Sequence, residues 1–118
     1  MRRSESGTVR RPVIAGSWYP GREKDLARTV DDYLAQVDQP LLPGELLGLI
    51  VPHAGYAYSG QTAAYAYHQL EGQQVETVIL IGPSHRAWVG DQAASAEAAY
   101  ETPLGRVPVN QEFISDLR

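Results

Sequence analysis

Apolar and polar residues follow two rhythms along this chain. Across residues 22–36 the apolar positions Leu26, Val30, Tyr33 and Leu34, with Val37 just beyond, recur close to the 3.6-residue period of a helix. Asp31 and Asp32 fall on the opposite side, so the segment predicts an amphipathic helix with a wet acidic face. Pro40, Pro43 and Gly44 end it and turn the chain. The second rhythm is unbroken apolarity. Residues 46–51 (LLGLIV) and 75–82 (VETVILIG) do not alternate, which suits strands buried on both faces in a parallel sheet.

Between those runs Ser59 is a candidate N-cap for a helix reaching about Leu70, with Ala63, Tyr67 and Leu70 facing inward. Strand, helix and strand in this order make a βαβ unit. Residues 92–100 are alanine-rich, which favours helix by intrinsic propensity. Residues 100–109 (YETPLGRVPV) predict strand, Pro-Leu-Gly turn, strand. Asn110 then caps a helix beginning at Gln111. The expected class is α/β, with a partial, mostly parallel sheet built around the βαβ unit. Ending on a fresh helix, the chain is expected to be the N-terminal part of a longer, truncated α/β domain spanning 12–118. Residues 1–11 are expected to form a disordered basic arm, since Arg2, Arg3, Arg10 and Arg11 stand there among Ser and Gly.

Composition narrows the function classes. With 118 residues the chain holds one small domain, and 43% apolar residues allow a packed core. A net charge of −4 argues against nucleic-acid binding, which calls for a basic face. No apolar run approaches the roughly 20 residues that span a bilayer, and no secretory leader is recognisable. There are no cysteines, so no disulfide framework points outward and the expected location is cytoplasmic. Any metal site built from this chain must use His, carboxylate or water.

The candidate chemistry sits where the two apolar runs end. One closes on Pro52-His53 and the other on Pro83-Ser84-His85. In open parallel sheets, ligands bind beyond the carboxyl ends of the strands. Neighbouring strands lie about 4.8 Å apart, so two imidazoles leaving adjacent ends can meet at one ion. Each proline removes a ladder donor and holds the preceding residue extended, stopping the strand where the His is presented. A single His in such a place reads as a strand cap or a satisfied buried side chain; a matched pair favours ligation. Imidazole suits Fe, Zn, Cu or Ni, and a facial Fe(II) site needs a third ligand, commonly a carboxylate. Asp91 is the closest carboxylate in sequence to His85. His68, mid-helix beside Tyr67 and Gln69, reads as a surface residue.

Two motifs invite other readings. Residues 55–62 (GYAYSGQT) match the phosphate-loop spacing GxxxxGK[ST] except that Gln61 replaces the lysine. An amide cannot supply the cation that meets the β- and γ-phosphates, which removes nucleotide hydrolysis and leaves weak anion binding at a helix N-terminus. Ser84 lies in GPSH rather than a GxSxG elbow, and neither it nor Ser59 has an Asp-His relay nearby in sequence. Trp18, Tyr19, Tyr56 and Tyr58 add aromatic area in loops. They either cover a core edge or wall a pocket for an aromatic or peptide substrate.

AGSWYP at 15–20, VPHAGYAYSG at 51–60, ILIGPSH at 79–85 and YETPLGRVPVN at 100–110 together resemble the successive signatures of the Memo family, whose prokaryotic members are often called AmmeMemoRadiSam system protein B. The resemblance implies a fold similar to that of the class III extradiol ring-cleaving dioxygenases, which use non-haem Fe(II). It implies metal-binding roles for His53 and His85 and pocket-lining positions for Trp18 and Tyr58. It also implies strand rather than helix at residues 92–98. The family's third ligand, a cysteine, and a further pocket histidine lie downstream of the matched segment and have no counterpart in this chain.

Three functions are then in contention. The first is an oxidative metalloenzyme in which Fe(II), or another divalent metal, held by His53 and His85 places O₂ beside a substrate. The second is a non-catalytic module on the same scaffold that grips a peptide or phosphorylated ligand, its histidines acting as hydrogen-bond groups. The third is a chain without activity of its own. A partial sheet exposes an edge, so self-association is expected of it.

Overall fold

The structure is a computed structural model that describes residues 7–117. The chain divides into two compact units. One comprises residues 12–73 and 102–105; the other holds, of the described residues, 7–11, 74–101 and 106–117.

The first unit is built on two helices. α1 spans Glu23–Ala35, as the apolar period predicts, with Glu23 and Asp25 in its first turn where the positive end of the helix dipole favours them. α2 spans Tyr56–Tyr67 and tightens into a 3₁₀ turn at His68–Leu70. The helices pack against each other, and each supplies one of the buried apolar residues among those described, Leu26 at 3% and Ala64 at 5% exposure. Their approach depends on Gly60, because a Cβ there would lie 2.6 Å from Cε2 of Tyr33. Polar links fix the register. The Tyr33 hydroxyl donates to the Tyr56 carbonyl at 3.0 Å, and the Gln61 amide donates to the Tyr33 carbonyl at 3.0 Å.

Three expectations change here. Gly55, not Ser59, is the N-cap of α2; Ser59 lies inside the first turn and its hydroxyl donates to the Ala54 carbonyl. The helix therefore starts four residues earlier, and its inward face shifts toward Ala64 while Tyr67 is left exposed. His68 is not a surface residue. Its side chain is only 18% exposed, and Nδ1 pairs with Glu71 Oε2 at 3.1 Å.

A three-stranded sheet in the order β1-β2-β3 is formed by Val9–Arg10, Ala99–Thr102 and Gly105–Pro108, and all of it but Thr102 and Gly105 belongs to the second unit. β1 pairs parallel with β2, Val9 against Ala99 and Arg10 against Tyr100. β2 and β3 are joined through Pro103 and Leu104 alone, a connection that forces antiparallel neighbours. Gly105 supplies the positive φ of 130° after this turn. Arg106 Nε reaches Glu101 Oε1 at 2.9 Å between the strands. α3, Gln111–Asp116, is capped as predicted, with Asn110 Oδ1 accepting from the Phe113 amide at 3.0 Å.

The α/β class therefore stands, but the sheet differs from the expected one. Residues 46–51 and 75–82 form no strand, so α2 does not lie within a closed βαβ unit among the described residues. A doubly buried strand needs ladder partners on its sides and cover on its faces. Neither run has them among the described residues, and Ile50 and Ile81 are all but fully exposed. Residues 92–98 are irregular rather than strand, because the Ser95 hydroxyl donates to Glu97 at 2.6 Å and accepts from its amide, a local turn that competes with a ladder. Of the expected basic arm, residues 1–6 lie outside the described residues, whereas Val9–Arg10 are strand, with the Arg10 guanidinium 5.4 Å over the Tyr100 ring.

Candidate functional site

The first unit gathers the aromatic candidates. Residues 14–19 fold into a tight loop. The Ser17 and Trp18 amides and the Ser17 hydroxyl all donate to the Ile14 carbonyl, and the Gly16 amide donates to the Tyr19 carbonyl at 2.8 Å. Gly16 takes φ of 85°, a conformation open to glycine. The Trp18 carbonyl then accepts from the Tyr56 amide at 2.8 Å, satisfying one of the unpaired donors at the start of α2. A Cβ on Gly55 would sit in ordinary contact, 3.4 Å from that same carbonyl. The result is a cavity of about 310 Å³ lined by Ser17, Trp18, Ala54, Gly55, Ala57 and Tyr58.

Trp18 and Tyr58, distant in sequence, thus border one concavity, each exposing much of its ring. His53 directly precedes the lining residue Ala54 and is exposed. Behind the loop the Tyr56 ring packs 5.6 Å from Tyr19 and 6.2 Å from Tyr33. Burial raises the Tyr56 phenol above its ordinary value, and the neighbouring phenols of Tyr19, Tyr67 and Tyr33 add to that.

His85 belongs to the second unit, in a bend over residues 85–87 that follows Pro83. The Ser84 hydroxyl closes this bend by donating to the Ala87 carbonyl at 2.6 Å. Each histidine is therefore placed by a proline and a short turn rather than by a strand end. Among the described residues no group of three or more His, Cys, Asp or Glu side chains comes together as a metal cage. The donor set this chain itself offers is two imidazoles, right in kind for a divalent metal and short in number.

The alternative motifs lose their footing. Residues 56–60 are already helical, so no open loop remains there to wrap phosphate, and Gln61 is engaged on α1. Both candidate nucleophiles, Ser59 and Ser84, donate to backbone carbonyls. One feature escaped sequence reasoning. His68 and Glu71 stand beside a cavity of about 380 Å³ whose other walls are Leu34, Ala35, Tyr67 and Leu70. Their i,i+3 spacing was the available signal.

Residues 10–118 match the family model described as Memo-like protein. Over 109 residues the chain is 35% identical to a MEMO1 family protein of Thermoplasma volcanium, covering 92% of this chain and 40% of that one. A MEMO1 family protein of Nitrosopumilus maritimus is 36% identical over 116 residues, covering 92% and 41%. The "Protein memo-1 homolog" of Caenorhabditis elegans is 39% identical over 104 residues, covering 88% and 29%. The chain thus spans about two fifths, or less, of the length of these relatives.

Proposed function

Because the chain belongs to the Memo-like protein family, we propose that it contributes His53 and His85 as two ligands of a divalent metal, Fe(II) first, in an oxidative site similar to those of the class III extradiol dioxygenases. The observation that carries this reading is a cavity walled by Trp18 and Tyr58 and lined also by Ala54, the residue that follows His53; it would receive an apolar or aromatic substrate. Iron held there would bring O₂ and substrate together.

The remaining work falls to the chain's own groups. The Trp18 indole and Tyr58 ring offer apolar faces that orient a flat substrate, and the tight backbone of residues 14–19 holds Trp18 in place before binding. Among the cavity's lining residues, Tyr58 carries the hydroxyl that would move a proton to or from a bound oxygen. With two imidazoles as its share of the donors, the chain binds metal weakly until a third ligand, protein or water, completes the shell. A cytoplasmic setting belongs to the same reading, suggested by a cysteine-free chain. Among the described residues no helix is long and apolar enough to cross a membrane.

The test is metal content after anaerobic dialysis against Fe(II). The native chain should retain iron, His53→Ala and His85→Ala should each lose most of it, and His68→Ala should match the native chain. Equal iron in all four would overturn the assignment. The exposed rings of Trp18 and Tyr58 around the cavity favour a second reading, a metal-independent module that grips a peptide or phosphorylated ligand there. Under that reading Trp18→Ala abolishes ligand capture and a chelator leaves it unchanged.

A further inference from the structure

The walls of the Trp18–Tyr58 cavity owe little to packing of their own. Both rings are exposed, Tyr58 almost wholly, so the aperture between them is set by the backbone that carries each. That backbone converges on Tyr56. Its amide donates to the Trp18 carbonyl, and its carbonyl belongs to the peptide that leads into the lining residues Ala57 and Tyr58. Yet Tyr56 opens α2, and the first turn of a helix is where the ladder is incomplete and fraying begins.

What fastens this turn comes from α1. The Tyr33 hydroxyl donates to the Tyr56 carbonyl at 3.0 Å, tying down the Tyr56–Ala57 peptide. The Tyr33 ring lies against Gly60, whose missing side chain makes the room, and meets the Tyr56 ring edge-on at 6.2 Å. The Tyr33 carbonyl accepts from the Gln61 amide at 3.0 Å, which fixes the residue at its backbone too. Beyond Tyr56 the line of rings continues to Tyr19, 5.6 Å away and next to Trp18 in the chain. Tyr33 itself is not among the residues that line the cavity.

We propose that Tyr33 is a positioning residue for this cavity: its hydroxyl holds the first turn of α2, and through Tyr56 it sets the spacing of the Trp18 and Tyr58 rings that receives a flat aromatic ligand. This rests on reading the cavity as a substrate site and requires no metal. Walls ordered before the ligand arrives leave more of the interaction as affinity, because ordering on binding is subtracted from it. One hydrogen bond of ordinary strength corresponds to about a two- to tenfold change in dissociation constant.

Trp18 and Trp88 are the chain's tryptophans, so Trp88→Phe, a change in the other unit, leaves Trp18 as the sole indole reporter. In that background Tyr33→Phe keeps the ring and removes the hydroxyl. It should enlarge the fast component of the Trp18 fluorescence anisotropy decay at a temperature where the helical circular dichroism is unchanged. The control is Tyr65→Phe, which removes a comparable bond, hydroxyl to Asp38 Oδ1 at 3.2 Å, toward the far end of α2 and should leave Trp18 as it is. In calorimetric titration with p-cresol, Tyr33→Phe should bind about two- to tenfold more weakly and Tyr65→Phe as the native chain does. Trp18 motion unaltered by Tyr33→Phe, p-cresol bound equally well by that variant and the native chain, or the same loosening from Tyr65→Phe would contradict the role given to Tyr33. A native chain that ignores p-cresol while Tyr33→Phe still loosens Trp18 would support that role and count instead against the substrate reading of the cavity.

Discussion

At position 60 two residue-scale effects oppose each other. Replacing a helical glycine by alanine ordinarily stabilises by about 0.5–1 kcal/mol. Here the new Cβ would lie 2.6 Å from the Tyr33 ring, which is tethered through its hydroxyl and packed against Tyr56. Overpacking of that kind costs about 1–3 kcal/mol and should win. Gly60→Ala is therefore expected to lower the urea midpoint of helix unfolding, followed by circular dichroism, while the same change at solvent-facing Gly48, with open space around its Cβ position, should leave that midpoint in place. Tyr56 gives a second test at this scale. Its pKa is raised above the ordinary 10.0, chiefly by burial, so the folded unit favours the neutral phenol. The native state then holds the proton more tightly than the unfolded chain, and the associated stability is complete below pH 10 and lost as pH rises through the folded value. Thermal stability should fall above pH 10, and less steeply in Tyr56→Phe.

Among the elements, α3 depends most on a single side chain, since six residues make a marginal helix. Asn110→Ala removes the bond to the Phe113 amide and should cost about 1 kcal/mol, read as faster amide exchange at Phe113 and Ile114. This element was legible in the sequence because its cap is local, as were α1 through its period and the β2–β3 hairpin through its Pro-Leu-Gly turn. The runs at 46–51 and 75–82 were misread because composition records a preference for strand while a strand needs partners, and partnership is not a local property. β1 went unseen for the converse reason: Val9–Arg10 is too short to show a period and exists only through pairing with Ala99 and Tyr100. Of the site, the adjacency of Trp18 and Tyr58 rests on a long-range bond, Tyr56 amide to Trp18 carbonyl, that no spacing rule announces. His68 was underrated because the cavity beside it is walled in part by Leu34 and Ala35 of α1, residues distant in sequence.

For the whole molecule, the two units put different demands on experiment. The helical unit holds the cavity and His53, and the sheet unit holds His85 and the bare apolar run. The proposed metal site requires both imidazoles at a single ion. The chain contains only three histidines, so each ring gives a resolvable proton signal and His68, paired with Glu71, serves as an internal control. The decisive measurement is titration with paramagnetic Co(II) followed by proton NMR. Concerted broadening or shifting of the His53 and His85 ring signals, complete near one ion per chain and with His68 unaffected, is the predicted result. Responses of His53 and His85 at clearly different Co(II) ratios, or of neither before His68, would contradict a shared ion.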